Sequence, residues 1–238
     1  MSEHASISLG IKVMRLSVAL LGLLFAFLSV QSGLSMSYAA ADPAFAHFVS
    51  PRNAIALNWL TERKMIATKV PSDIEKMLGS AQETVRLAPL QAEAIRNIGF
   101  VIAARGDEAK GDQIIGLAGQ VSKRDYFSHA WLFDRKFRLN QVAPAVTEAD
   151  IILRQRIESW PLVIPKLAQL TGDERVIEPL AQSLAQQPYW RGTFLEALGK
   201  TGPDTDKIYA LLGRLKALGA PPKTAELQSY FNRHSAHA

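Results

Sequence analysis

Shifted by 34 positions, the middle of this chain lies over itself, with residues 92–125 falling on 126–159. Ile98 then falls on Leu132, Gly111 on Ala145, Ile115 on Ala149 and Ala118 on Ile152, so small or apolar residues align with small or apolar ones. Gly106 falls on Asn140. Glycine and asparagine are the residues that most readily take the left-handed backbone at a helix end. A period of this length holds one supersecondary unit with a turn inside it. Such a unit cannot hide its apolar stripe alone and must stack on its neighbours.

The period within each unit is helical. Val142, Ala145, Val146, Ala149, Ile152 and Leu153 follow the series i, i+3, i+4, i+7, i+10, i+11, and Ile208, Leu211, Leu212, Leu215 and Leu218 nearly repeat it. Helix stops and starts recur at Gly106-Asp107, Gly172-Asp173, Gly202-Pro203-Asp204 and Gly219-Ala220-Pro221. Ser72-Asp73-Ile74-Glu75 has the form of a capping box. No stretch alternates with a period of two between turn residues, so the expected class is all-α.

A second feature sets the address. From Leu16 to Ala41 no residue is charged, and Lys12 and Arg15 precede the run. A membrane-spanning helix needs about 20 mostly apolar residues, and a basic flank on the N-terminal side keeps that end in the cytoplasm. Residues 1–41 therefore read as an anchor that leaves the rest of the chain in a bacterial periplasm. The competing reading is a signal peptide cleaved at Ala39-Ala40-Ala41, which delivers a soluble protein to the same compartment. Pro43 and Pro51 mark 42–52 as a linker, 53–159 would hold the repeats, and 160–238 a C-terminal helical extension.

The stretch Gln91–Ala118 resembles a tetratricopeptide repeat. Ile98-Gly99 matches the Leu-Gly pair of the first helix, Gly106-Asp107 the turn, Gly111 the small contact residue and Ala118 the later alanine. Val85-Arg86-Leu87-Ala88-Pro89 resembles the end of a preceding repeat held by 52–89, while Phe133 stands where that family has a glycine. The whole chain also resembles a group of membrane-anchored repeat proteins common in sphingomonad-type bacteria, through Ser122-Lys123-Arg124-Asp125 and Trp131-Leu132. The resemblance implies a transmembrane helix, a helical-hairpin solenoid and a C-terminal helical cap. It also implies a partner groove lined by Glu93, Arg96, Phe100 and Ala103 in one unit, and by Phe127, Ala130, Asp134, Phe137 and Arg138 in the next. Aromatic area beside guanidinium suits a protein ligand with an acidic group. The aromatics Phe100, Phe127 and Phe137 also fit an inter-repeat core.

Chemistry is harder to find. The chain has no cysteine, which excludes disulfides, thiolate metal sites and a lipoprotein anchor. Setting aside Lys12, Arg15 and Glu3 leaves 25 basic and 21 acidic residues from totals of 27 and 22, too even a balance to suggest nucleic acid. None of the five histidines has metal-ligand spacing; His234 and His237 fall in the tail, and only His129 near Asp134 offers an acid–base pair, by proximity. No nucleophile elbow, phosphate loop or dinucleotide fingerprint occurs, and Trp59, Trp131, Trp160 and Trp190 read as core. The expectation is a non-enzymatic scaffold for a protein partner, without catalytic residue, metal or cofactor. The alternative is an envelope enzyme or binding protein for peptidoglycan or polysaccharide.

Overall fold

A computed structural model describes residues 2–67, 71–201 and 205–235. Those residues form 13 α-helices and two 3-10 turns, with no strand among them. The helices are α1 (Ser2–Tyr38), α2 (Pro43–Val49), α3 (Ala54–Ala67), α4 (Pro71–Leu87), α5 (Ala92–Ala104), α6 (Glu108–Val121) and α7 (Tyr126–Arg138). Then come α8 (Val142–Gln155), α9 (Trp160–Leu170), α10 (Glu174–Ala185), α11 (Arg191–Thr201), α12 (Thr205–Ala217) and α13 (Gln228–Ser235). The chain divides inside α6 into two compact units, residues 1–111 and 112–238.

The 34-residue period holds to the residue. It carries the bounds of α5 onto those of α7 and the bounds of α6 onto those of α8. Gly106 (φ 98°) and Asn140 (φ 53°) both take the left-handed conformation. Behind each, the chain closes alike: Gly106 N–H donates to Ala103 O (2.9 Å) and Asp107 N–H to Ile102 O (3.3 Å), as Asn140 N–H does to Phe137 O (3.1 Å) and Gln141 N–H to Lys136 O (2.9 Å). These bonds satisfy carbonyls that a helix end leaves without partners.

In the first unit, Met14–Tyr38 of α1 is 25 residues long and apolar enough to cross a membrane. Leu16–Val30 is exposed throughout. Beyond it, Ala39, Ala46 and Ala56 form a small cluster where α1, α2 and α3 approach closely. Stretch 42–52, expected as a linker, contains α2. Asp42 caps that helix by accepting from Phe45 N–H (3.0 Å), and Pro43 fills its first position, where no N–H is needed. Asn53 caps α3 by accepting from Ala56 N–H (3.0 Å), and its own amide donates to Ser35 Oγ (2.8 Å). Where α6 starts, a Cβ on Gly111 would sit 2.7 Å from Ala103 Cβ and 2.9 Å from Gly99 O, so only glycine allows this approach. The side chains of Ser72–Ile74, and with them the expected capping box, lie outside the described residues, as do the Gly202–Asp204 turn and His237.

In the second unit, α8, α10 and α12 pack side by side in one layer, and α9, α11 and α13 in another. The core runs between them through Ile152, Leu167, Leu180, Leu184, Trp190, Phe194, Leu198, Leu211 and Leu215. Each such side chain contributes about 1.5–3 kcal/mol by leaving water. Phe133, at the position equivalent to Gly99, is buried in this core. The C-terminal extension, in which the sequence suggests about five helices (roughly 162–170, 173–186, 189–200, 204–217 and 222–233), holds α9 to α13, the last preceded by a 3-10 turn at Thr224–Leu227. From the sequence, Pro161 and Pro165 are both expected within the first turn of their helix, and Pro165 departs from that. It sits inside α9 rather than in the first turn with Pro161, and so deprives the helix of one interior hydrogen bond. Of the four tryptophans, Trp190 is fully buried, Trp131 and Trp160 are half-buried, and Trp59 is exposed, so Trp59 is not core.

Candidate functional site

In the second unit a concavity of about 440 Å³ lies between α6 and the α7–α8 hairpin. Two glycines of α6, Gly116 and Gly119, line it, with Asp112, Gln113 and Gln120 of the same helix and Lys123 just beyond its end. From α7 come His129, Arg135 and Lys136, and from α8 Glu148. Asp112 accepts from Trp131 Nε1 (2.8 Å) and from Arg135 Nε (2.7 Å). Glu148 accepts from Lys136 Nζ (2.6 Å) and pairs with His129 Nδ1 (2.6 Å). Burial acts to raise the Glu148 carboxyl, but the hydrogen bonds from His129 and Lys136 outweigh it and hold the group below its ordinary value.

Nδ1 of His129 faces the Glu148 carboxylate, and Nε2 is the ring's other nitrogen. That nitrogen is buried and has no hydrogen-bond partner, and the residue is only 1% exposed. The space behind the ring is provided by Gly119, whose Cβ, if present, would lie 3.2 Å from His129 Cε1. The pair is an internal ion network joining α7 to α8. The acid–base pairing of His129 with Asp134 is not formed: five residues apart on one helix, they point to different faces. Asp134 pairs instead with Arg138 (2.9 Å) and Lys166 (3.2 Å). Among the described residues, no three His, Asp or Glu side chains are grouped to hold a metal ion.

The expected groove residues are placed as follows. In the first unit, Glu93 is exposed, Phe100 half-buried and Ala103 buried. Arg96 is buried, at 3% exposure, and its guanidinium donates to Glu62 of α3. Beside it, Asn97 donates to Asn58 (2.9 Å). In the second unit, Phe127 and Arg138 are exposed and Asp134, Phe137 and Ala130 half-buried. Phe137 packs against Phe133 (6.1 Å between centroids) beneath the Lys166 ammonium (5.5 Å).

The sequence pattern did not single out Arg156. Its guanidinium lies over the rings of Tyr126 (4.4 Å) and Phe127 (5.7 Å). Next to it, Tyr126, Arg156, Glu158, Ser159 and Leu162 line a second concavity of about 380 Å³. Phe127, Ile157 and Leu162 stand exposed there, so this face offers a partner apolar area and a cation together.

No family model matches this chain, and no curated protein matches its sequence.

Proposed function

We propose that this chain is a non-enzymatic binding scaffold, tethered to the bacterial inner membrane by α1 and presenting tetratricopeptide-like stacked hairpins to a protein partner in the periplasm. The observation that carries the reading is the 34-residue register of α5–α6 on α7–α8, with its matched left-handed turns at Gly106 and Asn140. Two layers of alternating helices in the second unit support a solenoid with the C-terminal helices as its cap.

Retention of the anchor has its own support. The segment beyond its apolar run is tied to the first unit, since the Ala40 and Ala41 carbonyls accept from Arg63 (3.1 and 3.4 Å). The partner surface lies on α7 and the start of α9, where Phe127, Ile157 and Leu162 surround Arg156. Arg96, committed to Glu62, serves the fold and not the ligand.

The test is site-specific photocrosslinking in intact cells from Phe127 and Leu162, with Leu117, exposed on α6, as reference. The expected result is one protein adduct from both positions but not from Leu117, and its loss in Arg156→Glu. Equal adducts from all three positions, or indifference to Arg156→Glu, would refute this surface.

A further inference from the structure

Gln31 is the first residue after the apolar run that ends at Val30, and its side-chain amide donates to Val49 O (2.6 Å). One helical turn further on, Ser35 Oγ donates to Ala46 O (2.7 Å), and the Asn53 amide reaches the same Ser35 Oγ (2.8 Å). Moving from Ser35 back to Gln31 retreats about 6 Å along α1. Moving from Ala46 to Val49 advances along α2 in that same direction. Helix α2 therefore doubles back beside α1 toward the apolar run, and the corner at 50–53 sits at the edge of that run.

A bilayer core takes up about 20 helical residues. Counted from Leu16, just after Arg15, they end at Ser35. The level of Gln31 and Val49 thus falls at or inside the hydrocarbon boundary. The side chains shown at this level suit that place: Phe48 is 83% exposed, and Ile55 and Arg52 are exposed. In water, an aromatic side chain exposed to that extent is unfavourable. At the acyl–headgroup boundary it is stabilised, and a neighbouring arginine meets the phosphates. The other end of α3 leads away, since Arg63 is held at the level of Ala40 and Ala41 and Ile66 lies beyond it.

We propose that the corner made by α2 and the start of α3 is a lipid-binding surface, with Phe48 and Ile55 inserted in the interfacial layer and Arg52 on the phosphates. It rests on α1 being a retained spanning helix, and it adds a second, peripheral contact that fixes the orientation of the first unit on the bilayer.

The chain has no cysteine, so single cysteines report cleanly. Full-length Phe25→Cys, Phe48→Cys and Ile66→Cys proteins would be nitroxide-labelled and reconstituted in vesicles of phosphatidylethanolamine and phosphatidylglycerol. Accessibility to oxygen, which enters the bilayer, is then compared with accessibility to a nickel chelate, which stays in water. The expected result is a high oxygen-to-nickel ratio at positions 25 and 48 and a low one at 66. A ratio at 48 equal to that at 66, with 25 still deep, overturns the corner surface alone. A low ratio at 25 overturns the spanning helix, and the corner with it.

Discussion

Arg96 of α5 donates its guanidinium to Glu62 of α3, a carboxylate 34 residues earlier in the chain. The pairing spans one repeat, and others of similar span occur: Asp134 with Lys166, Glu174 with Lys207, and Glu178 with Arg214. Most of these lie on the surface and contribute little. Arg96 differs because it is buried, so removing its partner, or it, strands a charge. Arg96→Ala and Glu62→Gln should each lower stability by about 3 kcal/mol, the second because it leaves the buried Arg96 guanidinium without its carboxylate. Thermal unfolding followed by circular dichroism measures both, and a cost below about 1 kcal/mol for Arg96→Ala would show the pair to be solvated.

The turn at Asn140 gives a second prediction. A β-branched residue resists its φ of 53°, so Asn140→Val should cost about 1–2 kcal/mol. Asn140→Gly should be near neutral, since glycine takes this backbone freely but forgoes the hydrogen bond that Asn140 Oδ1 accepts from Arg175 (3.3 Å). Equal melting temperatures for the two variants would refute the strain argument.

Two glycines of α6 should respond oppositely to alanine. Gly111→Ala drives a methyl into Ala103 Cβ and Gly99 O, neither of which can rotate away, and should cost about 1–3 kcal/mol. At Gly116 nothing lies within 4 Å of the added Cβ. Alanine there should stabilise the helix by about 0.5–1 kcal/mol through propensity alone. Denaturant unfolding of the two variants distinguishes the cases by sign.

The helices and their turns were legible because their causes are local: apolar stripes at helical spacing, and Gly106 and Asn140 at the left-handed positions. Helix α2 was not legible, since seven residues between two prolines are too few to display a period. The environments of Arg96 and His129 were missed for another reason. A charged residue reads as solvated until its partner is known, and Glu62 and Glu148 sit on different helices from the residues they meet. For Arg96 a usable signal existed, an opposite charge one repeat away. For His129 the 19-residue separation from Glu148 matches no repeat, so only packing reveals it.

Glu148 makes the second unit sensitive to acid. Its carboxyl titrates below the ordinary 4.5 in the folded chain, so its contribution is complete above that value and is lost as pH falls through the depressed folded one. Protonation removes the charge that both His129 and Lys136 need. Glu148→Gln should therefore lower stability at pH 7 and flatten its decline between pH 5 and the acid limit, by about 1–3 kcal/mol in total. Urea midpoints measured across that range test it, and parallel pH profiles for variant and wild type would contradict it.

Arg191 should prove the strongest determinant of the C-terminal end. Its side chain is buried and donates to Leu184 O (2.9 Å), Ala220 O (3.1 Å) and Pro221 O (3.3 Å) while pairing with Glu226 (2.9 Å). One planar fork thus ties α10 to the 220–226 segment that leads into α13. A lysine keeps the charge but offers a single nitrogen, so it cannot reach all four acceptors. Arg191→Lys should cost about 2 kcal/mol and Arg191→Ala about 3–5 kcal/mol, since alanine also strands the Glu226 carboxylate. The loss should be local as well as global. Amide exchange should accelerate first in α13, whose contact with α11 depends on a tight fit at Gly199, where Tyr230 N would lie 2.6 Å from an added Cβ. If exchange in α13 were unchanged while the whole unit lost stability, Arg191 would be a core contact and not the strap of this helix.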